Sequence, residues 1–312
     1  MIRLSQTLGL MQYERHGQPH FFKFATAEAA LKIIEGQSLR WSSAIEFNDP
    51  FDHQAGFSLE MDEADFARLL SESMLRVIFA DAPVSVGASQ LFTQLLLALR
   101  KMRDRLPRAQ LEVELNESSL QVARNISEGI DSFNAAIQTH LLHSRVLCVT
   151  EDADNVVMWS HYADQHRGVA FQLGCIDHLD NRLLAAKRVQ YTDQFIAFPN
   201  PSEYAQHLTG ECPIDMIPLV WKIAYTKHLD WAYEREWRVH IPLLDESPAS
   251  NISVYSEPPE VFQKMILGCR VHPEQKALLL ASSKRSLPNM SLFQASRASA
   301  SYNLRFEHIN ET

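Results

Sequence analysis

The sequence predicts an α+β fold: a single mixed-sheet domain over residues 1–312 with a helical insertion at about 60–143. Three observations point there. Strand-like and helix-like stretches follow one another irregularly, without the repeated βαβ spacing of a doubly wound sheet. One block, from about Glu60 to His143, carries helical periodicity and no strand alternation. The chain has 312 residues, 46% of them hydrophobic, enough to bury a substantial core.

Each element has its own signal. The opening MIRLSQTLGLMQYERHGQ has no long apolar run and no small-residue cleavage site, so no signal peptide is expected. HFFKF is a short aromatic strand. AEAALKII has helical apolar spacing and should stop at Gly36, a natural left-handed terminator. LRWSS is extended, and NDPF is turn chemistry: Asn48 and Asp49 can bond their own backbone while Pro50 fixes φ. ADFARLLSESMLRVIF, SQLFTQLLLALRKMRDRL and ESSLQVARNISEGIDSFNAAIQTHLL are amphipathic helices. SRVLCVT is a strand, and Asp154 stands where the N-cap of a helix NVVMWSHYADQHR belongs, with Gly168 at its end and a buried strand VAFQL after it. KRVQYTD reads as a strand, PIDMIPLVWKIAYTKHLDW as largely helical. EREWRVHIPL, NISVYS and FQKMILGC read as strands, PEQKALLLASSK as a helix, and MSLFQAS and YNLRFEHI as terminal strands.

Composition excludes several classes. The net charge of −9 argues against non-specific binding to nucleic-acid phosphates. Only 10 glycines occur, without GxGxxG or GxxxxGK[ST], which disfavours Rossmann and P-loop nucleotide sites; HExxH and GxSxG are absent too. The longest aliphatic block, LFTQLLLALRKM, is broken by charge well short of the roughly 18 apolar residues of a membrane span. Cys148, Cys175, Cys212 and Cys269 are widely spaced and read as reduced thiols, so the protein is expected to be soluble and cytoplasmic, with no membrane partner.

Three polar constellations remain. In VVMWSHYADQHR, helical spacing puts Met158, Tyr162 and His166 near one stripe, with Trp159 and Met158 as core and His161, Tyr162, His166 and Arg167 along a pocket wall. The spacing of His161 and His166 is not i,i+4 and no third ligand is evident, which counts against zinc. In WAYEREWRVH, an extended backbone would align Glu234, Glu236, Arg238 and His240 on one face. One carboxylate anchored by an Arg and another facing ligand hydroxyls or a developing cation would suit a polar site for a small molecule. Lys23 is the lone charge in its aromatic strand, either snorkelling outward or turned in as an anion anchor.

FFKF, FNDPFD, MWSHYADQHRGVAF and EREWRV, with MILG further on, resemble the motifs of a widespread bacterial family of unknown function. That family has a YKY-like first strand, an FNDPF/E turn, an MWxHYA helix running into a glycine and a strand, and an ExEWR strand. The similarity spans about Phe21 to Phe306 outside the helical insertion. More distantly, the chain resembles the ADP-ribosyltransferase superfamily, especially its nucleic-acid-modifying toxin branch. AALKIIEGQSL follows the form xxLxxIIExGxL, and Glu234 with Glu236 looks like a Glu-x-Glu pair. This resemblance implies an ADP-ribosyltransferase-like fold and NAD as the consumed substrate of a transferase or NAD glycohydrolase acting in a toxin or phage-defence system. It makes Glu236 the catalytic carboxylate with Glu234 beside it, places Lys23 at the NAD ribose, and stacks Tyr162 or Trp159 on nicotinamide. Asn48, Asp49, His161 and Arg238 complete the expected binding set, and the acceptor is nucleic acid or protein. Two departures stand out: Lys23 replaces a His or Arg, and SRVLCVTED offers only Thr150 where a Ser-Thr-Ser strand is usual.

Two other expectations compete. In one, the same groups form a structural network in a non-catalytic sensor or binding module. In the other, Asp49, Asp52, His53 and the Glu151, Asp152, Asp154 cluster serve a metal-dependent hydrolase. The enzyme expectation requires Lys23, Asn48, Tyr162 and Glu236 to meet in one pocket.

Overall fold

A computed structural model of the chain describes residues 15–53, 62–79, 84–85, 90–194, 200–214, 216–243 and 250–309. The expectation about a leader falls mostly on residues 1–14 and lies outside the described residues. The chain forms two compact units, one of Met1–His53, Leu141–Asp193 and Tyr225–Thr312, the other of Gln54–His140 and Gln194–Ala224. The helical segment read at about 60–143 thus shares its unit with residues 194–224.

The first unit opens with β1 (His20–Ala25), α1 (Ala27–Gly36) and β2 (Ser38–Ser42). Thr26 caps α1 by accepting from Ala29 N, and Ala27, Ala30, Ile33 and Ile34 supply its buried stripe. The helix runs through Gly36; the left-handed terminator is Gln37, φ 45°, whose N–H bonds Ile33 O. Next in the chain come the helices of the second unit: α2 (Glu63–Phe79), α3 (Gln90–Lys101), α4 (Arg108–Arg124) and α5 (Ile126–Leu142). Then follow β3 (Ser144–Thr150), α6 (Val156–Tyr162), β4 (Val169–Gly174), β5 (Lys187–Arg188) and β6 (Gln190–Thr192). The second unit resumes with α7 (Pro201–Thr209) and α8 (Met216–Ala224). The chain finishes with β7 (Thr226–His228), β8 (Glu236–Pro242), β9 (Ile252–Ser256), β10 (Phe262–Leu267), α9 (Pro273–Ser286), β11 (Ser291–Arg297) and β12 (Leu304–His308). The molecule is α+β with a large mixed sheet.

That sheet has ten strands in the order β12-β11-β10-β4-β1-β3-β2-β9, with β8 on β3 and β5 on β8. Among the described residues only β10 and β11 pair in parallel within it, while β6 and β7 form a separate parallel pair. Side chains alternate between its faces. Val169, Phe171 and Leu173 of β4 join Phe21, Ile34, Met265 and Leu279 in one core cluster, which α1 and α9 cover. Ala170, Phe24 and Ile266 join Met158 and Trp159 of α6 in another.

One irregularity positions the site. β8 pairs with β3 along its whole length, Ser144↔Pro242 to Thr150↔Glu236. The other edge of β3 meets β1 at Phe22↔Thr150 and β2 at Ser42↔Val146. Between those two contacts the sheet parts.

The second unit packs Phe66, Leu70, Met74 and Val77 of α2 against Leu96, Leu111, Leu115 and Ala205. Its buried Ser73 bonds Thr209 Oγ1 and Glu211, and Glu211 holds Arg76 at 2.6 and 2.9 Å. Among the described residues no helix is long and apolar enough to cross a membrane, and the four cysteines are free thiols.

Candidate functional site

Where the sheet parts lies a cavity of about 240 Å³, lined wholly by the first unit. Phe22, Phe24, Phe47 and Met158 give it apolar walls, Lys23, Asn48 and Tyr162 polar ones, and Asp52, Lys227, Glu234 and Glu236 a charged floor. Lys23, Asn48, Tyr162 and Glu236, which come from four separate motifs, all line it.

The turn after β2 supplies one side. Asp49 accepts from Phe51 N at 2.9 Å and so shapes the NDPF turn instead of facing the cavity. Three and four residues on, Asp52 and His53 are buried, His53 in left-handed backbone at φ 57°. Such a conformation costs a non-glycine residue about 1–3 kcal/mol and persists only where surroundings impose it. Here Phe47 packs edge-on against the ring and His240 stacks on it at 5.2 Å. Asn48 donates to Tyr162 Oη at 3.2 Å, tying the turn to α6.

β8 and the turn before it supply the floor. Glu234 does not belong to the strand, as its alternation suggested; it ends a 3-10 turn, and Arg235 at φ 44° bends the chain before Glu236 begins β8. Thr150 Oγ1 donates to the Glu234 carbonyl at 2.6 Å, and Tyr191 Oη accepts from Glu236 N at 2.8 Å, which pin the bend. The two carboxylates then meet on one ammonium: Lys227 Nζ lies 2.6 Å from Glu234, 3.3 Å from Glu236 and 3.5 Å from Asp52. Arg238, wholly buried, is bidentate twice. It donates to Asp52 at 2.9 and 2.6 Å and to Glu236 at 2.7 and 2.9 Å. Tyr162 Oη donates to Glu234 at 2.5 Å.

The electrostatics separate the carboxylates. Burial alone would raise Glu236, but Arg238 and Lys227 outweigh it and hold its pKa down at about 2. Asp52 is likewise lowered, its burial overcome by Arg238 and His53. Glu234 moves the other way, raised by burial, with Lys227 opposing and Glu236 reinforcing. Burial also raises Tyr162, helped by Glu234, and lowers His53, which stays neutral. Since a carboxylate only accepts, His53 Nδ1 carries the proton and donates to Asp52 at 2.9 Å. Lys227 is raised despite its burial, because three carboxylates surround it.

Other expected residues sit elsewhere. Asn155, not Asp154, caps α6, accepting from Val157 N and Met158 N. The helix ends at Tyr162, so His166 leaves the Met158–Tyr162 stripe. Asp164, Gln165 and His166 follow in left-handed backbone, and His166 lies flat against Trp159. Trp159 is fully buried, its Nε1 donating to Ala153 O, and it does not line the cavity. His161 is exposed and bonds Tyr233 Oη at 3.0 Å. Arg238 is behind the cavity, holding Glu236. Lys23 Nζ donates to Cys148 O at 2.8 Å and makes no ion pair among the described residues. Arg167 pairs with Asp164 at the surface.

Residues of the metal expectation are spent on other bonds: Asp49 on its turn, Asp52 on Arg238, His53 on Asp52, Glu151 on Trp237 Nε1. Among the described residues no group of three His, Cys, Asp or Glu is placed to hold a metal ion. Lys227 was missed. It sits in IAYTKHLDW, which reads as helix, whereas the chain leaves α8 at Ala224 and enters the three-residue β7.

No curated protein and no solved structure matches the chain. Residues 158–239, which carry Tyr162, Lys227, Glu234, Glu236 and Arg238, match the model of a family described as "Protein of unknown function (DUF2971)".

Proposed function

We propose that the cavity is the reaction site of an NAD-consuming enzyme of ADP-ribosyltransferase type, a transferase or an NAD glycohydrolase. The observation that carries this reading is the meeting of Lys23, Asn48, Tyr162 and the Glu234–Glu236 pair around one cavity. Its volume of about 240 Å³ is below the roughly 300–1,000 Å³ of whole-ligand sites, so the nicotinamide–ribose end enters and the adenylate end stays outside. The aromatic walls suit a planar ring, and Tyr162 is the stacking residue in place of Trp159. Breaking the bond between C1′ and the nicotinamide nitrogen sends the electron pair to the ring, which leaves as neutral nicotinamide. Positive charge builds on the ribose, and the fixed anion of Glu236 stabilises it. Water or an acceptor hydroxyl then bonds to C1′ and its proton passes to Glu234. The test is incubation of the pure protein with NAD, alone and with DNA, RNA and protein acceptors. Nicotinamide release is expected; none under any of these conditions sinks the reading.

A non-catalytic binding module is the second reading. It is favoured by the way Arg238 takes both oxygens of Glu236, an arrangement that also suits a structural network.

A further inference from the structure

The floor of the cavity has an uneven charge balance. Among the described residues, Asp52, Glu234 and Glu236 share ion pairs with two permanent cations, Lys227 and Arg238, and all five side chains are at most 6% exposed. A buried surplus of negative charge is costly unless a proton or a bound cation relieves it. Geometry says where a proton would go. The carboxylate contacts of Arg238 among the described residues go to Asp52 and Glu236. The Glu234 carboxylate receives, among the described residues, a share of Lys227 and the neutral hydroxyl of Tyr162.

We propose that Asp52 is a positioning residue: by engaging Arg238 together with Glu236, it leaves Glu234 as the carboxylate of the cluster that takes up and returns a proton. This rests on the cavity being the reaction site. The charged groups facing Glu234 pull in opposite directions. Lys227 of β7 attracts its charge, while Glu236 of β8 and Asp52 of the turn repel it. Arg238 is spent on those two. Tyr162 of α6, Tyr191 of β6 and His53 of the turn are kept neutral by burial and add no charge near neutral pH. Asp52 is therefore the nearby charge whose removal frees cationic capacity for Glu234 without touching either glutamate.

The experiment is a pH titration of the side-chain carboxyl carbons by NMR on the full chain, labelled at glutamate and aspartate, for the wild type and Asp52→Asn. In the wild type Glu234 takes the first proton of the three on acidification; Glu236 or Asp52 taking it overturns the proposal. In D52N the Glu234 midpoint falls by at least about one pH unit, the scale of one charge at this range, and Asp52→Glu brings it back. A folded D52N with an unmoved midpoint overturns it too. Should D52N fail to fold, Lys227→Gln reads the same balance with opposite sign, and a midpoint that does not rise counts against the proposal. The titration needs no turnover, so absence of nicotinamide release sinks the enzyme reading separately. Where release occurs, the acid limb of its pH profile shifts with the D52N midpoint.

Discussion

Arg238 is the residue on which the most depends. Its guanidinium is buried and shared between two carboxylates, so removing one partner strands charge in a dry place. Glu236→Gln is therefore expected to lower unfolding free energy by about 3–5 kcal/mol, read by denaturant titration. Tyr162→Phe differs. It removes one hydroxyl from Glu234 and Asn48 while leaving the ring, and should cost about 1 kcal/mol. Its larger effect should be on NAD handling, seen as a rise in KM. Residues in distinctive local company were legible in the sequence. Lys23 alone among phenylalanines, Asn48 before Asp-Pro, and Glu234 with Glu236 before Trp-Arg were singled out, and all four line the cavity. Lys227 was not, because a lysine between Thr226 and His228 in a stretch that reads as helix has no pattern of its own.

At the scale of elements, two glycines, Gly168 in the turn between α6 and β4 and Gly268 just after β10, explain a backbone that the sequence reads as helix. A Cβ on Gly168 would come within 2.1 Å of Ala25 O at the end of β1, and one on Gly268 within 2.1 Å of His166 O. The left-handed run Asp164–His166 can close only against those bare positions. Gly168→Ala should force β1 away and cost about 1–3 kcal/mol, with β1 amides losing protection in hydrogen exchange. Asn155→Ala, which removes the α6 cap, should cost about 1 kcal/mol. Longer elements were legible too, α1 from its helical spacing and β4, β10 and α9 from their apolar runs. The kink at Arg235 and the strand β7 were not. A three-residue strand has no measurable alternation, and a left-handed arginine lacks the glycine that would announce it.

For the whole molecule, the buried charges set how stability depends on pH. His53 is held below its ordinary value, so the unfolded chain binds more protons than the folded one below about pH 6.5, and stability starts to fall there. Asp52 and Glu236 are depressed as well, Glu236 to about 2. Their contribution is present above the unfolded carboxylate values near 4 and is lost as pH drops from there towards 2. Glu234, raised, works in the opposite sense, since its burial costs least when it is protonated. Acid unfolding should accordingly begin gently and steepen below about pH 4, and Glu236→Gln should flatten the steep part. Calorimetric unfolding from pH 7 to 3 checks this. The α+β class was legible from irregular element order alone. The parting of the sheet was not, since it depends on which strands share an edge of β3, a relation between residues more than a hundred positions apart.

The central claim is that the buried carboxylates serve a ligand as well as the fold. Nicotinamide release from NAD, measured for the wild type and Glu234→Gln alongside their thermal unfolding midpoints, tests it most directly. The account predicts release by the wild type, and a fall of about 10²–10⁴ in turnover of E234Q with the chain still folded. A wild type that releases no nicotinamide, or a folded E234Q that releases it as fast, would contradict the account.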